Sequence, residues 1–100
     1  MIRGTTPTHI FETSLDTSLI QKVKIIYSQD DKVILEKKTD DCEILPGMIK
    51  TKLTQEDTFK FDCTKYVYVQ IRVLTLGNEA IASCPILVDA GKCLDEEVLV

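Results

Sequence analysis

Residues Tyr66 to Val88, YVYVQIRVLTLGNEAIASCPILV, hold two apolar-rich runs joined at Gly77-Asn78, the longest uninterrupted hairpin signal in the chain. Side chains alternate across a pleated strand, so Val67, Val69, Ile71 and Val73 point one way and Tyr66, Tyr68, Gln70 and Arg72 the other. The first set is a core face. Gly and Asn are among the residues that most readily take positive φ, which predicts a tight turn that keeps the twist of both strands. A chain built around such a hairpin is committed to antiparallel sheet.

The remaining pattern repeats the theme at short intervals. Thr8 to Thr13 reads as a first strand, with Ile10 on one face and His9 and Phe11 on the other. Leu19 to Ser28 places Val23, Ile25 and Tyr27 together, and the charged turn Gln29-Asp30-Asp31-Lys32 leads into Val33 to Thr39. Cys42 to Leu45 reads as a short strand, and Pro46-Gly47 is a turn dipeptide before Met48 to Leu53. Thr54 can cap a single helical turn, with Glu56 and Asp57 near its positive end. After Val88, the residues Asp89 to Val100 are either an extra edge segment or a tail that orders on a partner. About seven strands with turn signals every 8 to 12 residues predict an antiparallel β-sandwich of immunoglobulin-like character. The chain has no Trp, and Cys42 and Cys63 are too close in sequence for the inter-sheet pair of an antibody domain, so a true immunoglobulin domain is disfavoured.

One hundred residues make one domain, read here as a short polar leader at 1–7, the sandwich, and a C-terminal tail at 89–100. The net charge of -4 argues against a sequence-independent grip on nucleic acid. No stretch approaches a membrane span, and MIRGTTPTHIFET has no apolar export region, so a soluble protein without an export signal is expected. Cys42, Cys63, Cys84 and Cys93 have neither a Cys-x-x-Cys pair nor a zinc-ribbon spacing, so no metal site and no cofactor are expected. Free thiols used as small apolar side chains are favoured, Cys84 being the best core candidate, although the even number leaves a Cys42–Cys63 bridge open.

No catalytic residues are expected. His9 is the only histidine, which removes histidine-based triads, and it reads as a surface or edge-strand residue. Ser83-Cys84 has no base at a recognisable spacing. Asp30-Asp31, Asp40-Asp41 and Asp95-Glu96-Glu97 follow no calcium-loop spacing and read as solvated turns. The features that remain suit partners. Tyr66, Tyr68, Gln70 and Arg72 form a stripe of interface-prone types, unless that face packs under the tail or a second sheet. The ending Val98, Leu99 and Val100 is apolar and can dock on its own domain or on a neighbour.

Arg3 to Thr8 (RGTTPT), KIIYSQDDKVILEKKT at 24–39, IKTKLTQEDTFKF at 49–61 and VQIRVLTLGNEAIAS at 69–83 together resemble small phage and prophage β-sandwich proteins. The order is also similar to the immunoglobulin-like N-terminal domain of phage baseplate upper proteins, with Leu53-Thr54-Gln55-Glu56 and Ala82-Ser83 at its stations. The resemblance implies a non-enzymatic virion protein, made in the bacterial host cytoplasm, whose partners are other phage structural proteins and copies of itself. Those baseplate proteins carry a long C-terminal part beyond this domain. A lone module would instead decorate or bridge other virion proteins at the head, neck, baseplate or a fibre attachment point. A different class, a carbohydrate or small-ligand binding module, would use Tyr66, Tyr68 and Phe59 to stack on sugar rings, although aromatic residues make up only 6% of the chain.

Overall fold

The structure, a computed structural model, describes residues 1–83, 85–88, 90–91, 94 and 97–99. Two antiparallel sheets face each other. The smaller has the order β1-β5-β4, built from β1 (Thr8–Glu12), β4 (Cys42–Leu45) and β5 (Met48–Lys52). The larger has the order β3-β2-β6-β7, from β2 (Ile20–Gln29), β3 (Lys32–Lys38), β6 (Val67–Thr75) and β7 (Ala80–Ala82), and β8 (Ile86–Val88) also pairs with β6. The chain changes sheet between β1 and β2, between β3 and β4, and between β5 and β6. These are the B-E-D and C′-C-F-G arrangements of an immunoglobulin-like sandwich.

The core is the inward face of β2 and β6 closed by the smaller sheet. Val23, Ile25 and Tyr27 from β2 and Val67, Val69 and Val73 from β6 are buried, and Ile49, Leu53 and Phe61 cover them from the other side. The alternation read from Tyr66 to Val73 therefore sets the inward face, with Ile71 half-buried. Gln29 is buried at the end of β2, where its amide is fully used. Its Nε2 donates to the carbonyls of Asp62 and Lys65 at 2.8 and 3.1 Å, and its Oε1 accepts from the Asp62 N–H at 2.9 Å. A buried amide with those bonds carries no desolvation debt and fixes the loop that enters β6.

The hairpins differ in how they turn. Asp30 and Asp31 both have positive φ (49° and 59°), the requirement of a two-residue type I′ turn whose twist matches its strands. The hairpin at Gly77-Asn78 is wider than the tight turn its sequence suggests. The Asn78 N–H donates to the Thr75 carbonyl and the Thr75 N–H to that of Glu79, so Leu76, Gly77 and Asn78 form a three-residue loop. Asn78, at φ 61°, holds the left-handed position, the arrangement of a turn followed by one left-handed residue. The returning run is also broken. Arg72 faces Ala82 while Val69 faces Ile86, so between these pairs three positions on the returning side stand against two on β6, a bulge. Ser83 holds it: its Oγ accepts from the Ile71 N–H at 3.0 Å, and its carbonyl accepts from Gln70 Nε2 at 3.0 Å. Pro85 follows, at an edge, where a missing N–H breaks no ladder. Thus β7 and β8 are two segments of one edge, and the expectation of about seven strands corresponds to the eight described. Cys42 and Cys63 are free thiols, so the bridge left open between them is not formed. Cys84 and Cys93 lie outside the described residues.

Helix α1 (Gln55–Phe59) begins with a capping box. Thr54 Oγ1 accepts from the Asp57 N–H at 3.1 Å, and Asp57 Oδ2 accepts from the Thr54 N–H at 2.9 Å. The same Oδ2 meets Lys37 Nζ at 2.7 Å, with both side chains only 12% exposed. The first residues of the chain are stitched to this helix. Buried Thr58 accepts from the Gly4 N–H at 2.9 Å and donates to the Thr5 carbonyl at 3.0 Å. Gly4 has φ 79°, and a Cβ there would stand 2.6 Å from Phe59 Cζ. Ile2 bridges Gly91 in parallel, with the Gly91 N–H donating to the Met1 carbonyl at 2.6 Å and the Arg3 N–H to the Gly91 carbonyl at 3.0 Å.

Burial raises the pKa of the Asp57 carboxyl, but Lys37 and the Thr54 N–H outweigh it and leave it below the ordinary value of 3.8. The contribution is complete above that value and is lost as pH falls through the lowered one. Asp57→Ala removes a cap and leaves Lys37 nearly buried without its partner. Urea denaturation at pH 7 is expected to show a loss of about 3 kcal/mol.

Candidate interaction surface

The ladder registers place the outward residues of the larger sheet in rows that cross all its strands. At one end Val33, Ser28, Tyr68 and Leu87 face one another in turn. Val33 is 57% exposed, Tyr68 46% and Leu87 53%, so an apolar band crosses the sheet at the start of β6. Tyr66 lies just before β6 and is also exposed. The next row holds Glu36, Ile26 and Gln70. One row further, Lys38, Lys24, Arg72 and Ala82 stand opposite one another, and beyond them come Lys22, Leu74 and Ala80. The face is apolar at one end and cationic at the other, about 13 Å apart along β6 at the rise of a strand.

The stripe of Tyr66, Tyr68, Gln70 and Arg72 therefore lies on one side of β6, but its members are not equivalent. Tyr66, Tyr68 and Arg72 are exposed, whereas Gln70 is half-buried and engaged with Ser83. Neither a second sheet nor the described part of the tail covers that side. The terminal residues are elsewhere. The Leu99 N–H donates to Gln55 Oε1 and its carbonyl accepts from Gln55 Nε2, both at 2.7 Å, so the tail is clamped to α1. Val98 is half-buried beside Arg3, Phe59 and Lys60, the Leu99 side chain is exposed, and Val100 lies outside the described residues. Phe59, the third ring considered for sugar stacking, is under the Arg3 guanidinium, 5.6 Å from the ring centroid, and against Gly4. Its neighbours are Arg3, Gly4, Glu56, Lys60 and Val98 rather than the residues in the row of Tyr68. Single-strand periodicity could find Tyr68 and Arg72, but Val33, Leu87, Lys24 and Lys38 join them only through pairing between strands.

His9 sits on edge strand β1, as expected, but its ring turns inward rather than to the surface. Its Nδ1 is 2.7 Å from the Tyr27 hydroxyl, and the two rings lie 5.7 Å apart. Burial, with Cys42 and Asp57 nearby, pushes the Tyr27 phenol well above its ordinary value of 10.0, so it stays protonated, and the tautomer of His9 sets which of the two donates. Among the described residues no cluster of His, Cys, Asp or Glu is arranged to hold a metal ion, and no helix is long and apolar enough to cross a membrane. Compared with protein families, with curated proteins and with solved structures, the chain matches none.

Burial and the amino terminus lower the His9 pKa from 6.5. The unfolded chain then takes the proton first, so stability is constant above pH 6.5 and falls as pH drops from there toward the lowered value. Thermal midpoints at pH 7.5 and 5.5 are expected to differ in the wild type, and His9→Gln is expected to remove that difference.

Proposed function

We propose that the chain is a non-enzymatic structural and assembly module that attaches to other protein chains by the outer face of its larger sheet, of the kind that decorates or bridges virion proteins in phages. The observation that carries this reading is the exposed row Val33–Ser28–Tyr68–Leu87. A Tyr with a directly opposed Leu and a Val on the same face offers area for a partner without requiring a cleft, and Tyr is enriched in the residues that dominate interfaces. The placement in a phage rests on the sequence resemblance. The carbohydrate-binding alternative loses support because Phe59 is already engaged.

Co-expression with the products of neighbouring genes, or co-sedimentation with phage particles, tests the reading. The chain is expected to co-purify with at least one structural protein. Tyr68→Ala with Leu87→Ala is expected to cut recovery at least tenfold while the urea midpoint stays close to that of the wild type, since both side chains are about half exposed. Failure to associate with any structural protein would sink the reading. If the double variant unfolds instead, the face belongs to the core and the contact must be sought at the terminal residues Val98 and Leu99.

A further inference from the structure

The cationic end of the outer face is concave, with a volume of about 560 Å³. Lys22, Lys24, Lys38 and Arg72 line it, with Leu74 and Ala82, and no carboxylate is among its described lining residues. The chain as a whole carries 12 basic and 16 acidic residues, so this concentration of one sign runs against its overall charge. It also opposes the stability of the sheet. Lys24 stands directly opposite Lys38 on one side and Arg72 on the other, and like charges placed opposite each other across strands are destabilising. Among the described residues the ion pair reaching into the group is Lys24 with Glu36, at 3.3 Å with both side chains at least about a third exposed, which offsets little. An arrangement that costs stability and, among the described residues, is offset only by that exposed pair is suited to an anion from outside.

We propose that this concavity binds an acidic, extended segment of a partner protein whose carboxylates alternate with apolar residues; this deepens the assembly reading above and rests on it. Size and chemistry select that class. From Lys38 to Arg72 the backbone spans two strand spacings, about 10 Å, and with Lys22 and Lys24 the cations occupy two rows, which leaves room for more than one anionic group. An extended segment repeats its same-face side chains about every 7 Å and can meet several of the cations in succession. Leu74, Ala82 and the alkyl stems of the lysines supply apolar surface for its other residues. Nucleic acid fits less well, because no aromatic ring is among the described lining residues for a base to stack on.

Fluorescence anisotropy with a labelled Glu-Val-Glu-Leu-Glu-Val peptide is the test. Binding is expected to weaken at least tenfold when salt rises from about 50 to 500 mM, since exposed charge pairs are screened. Arg72→Glu is expected to weaken it at least tenfold, and Lys22→Glu to weaken it independently should the first variant fail to fold. Arg72→Glu also sets an acid beside Lys24, so its thermal midpoint should exceed that of the wild type, a gain that a structural role for Arg72 would not produce. No binding by the peptide, affinity unchanged in both variants, or tighter binding of a single-stranded DNA of equal charge would overturn the proposal. If co-purification depends on Tyr68 and Leu87 while the peptide fails to bind, only this inference falls. If the peptide binds as described and no structural protein is ever recovered, the virion assembly reading falls instead.

Discussion

The pairing of β2 with β6 is the constraint on which the rest of the molecule depends. It runs from Ile20 opposite Thr75 to Ser28 opposite Tyr68 and brings Val23, Ile25 and Tyr27 beside Val73, Ile71 and Val69. With side chains alternating, one register both buries that set and turns Lys24, Ile26, Arg72 and Gln70 outward. A slip by one residue would exchange the two faces along the whole ladder. The inward polar groups then follow from position. Tyr27 finds His9 across the sandwich, and Gln29, at the end of the strand, finds the loop carbonyls that lead into β6.

Much of this was legible in the residues because period-two alternation is a local property. Val67 to Val73, Val23 to Tyr27 and the capped turn at Thr54 needed only their own neighbourhood. The bulge at Ser83 was not legible, since it is held by Gln70 and the Ile71 N–H, which reach it only after the hairpin has closed. Nor was the docking of the first residues, where buried Thr58 and the close approach of Gly4 to Phe59 replace what composition presents as a polar leader. The candidate surface was half legible for the same reason. A strand shows which of its own side chains point outward, but Tyr68 acquires Leu87 and Val33, and Arg72 acquires Lys24 and Lys38, only through inter-strand register.

The edges of the two sheets are protected unequally. β3 ends in Glu36, Lys37 and Lys38, and the β7–β8 edge is broken by its bulge and Pro85, both devices that discourage another strand from adding on. Under the proposed assembly reading, edges guarded in this way leave the outer face rather than the strand edges of the larger sheet as the place for contact. The face then combines an apolar row, which supplies area, with a cationic row, which supplies direction.

The parallel bridge between Ile2 and Gly91 also determines how the domain would carry a load. A pull applied between residues 2 and 91 would act first on the Gly91–Met1 and Arg3–Gly91 backbone bonds. The bridge is a small clasp of two backbone hydrogen bonds, separate from the ladders of the two sheets.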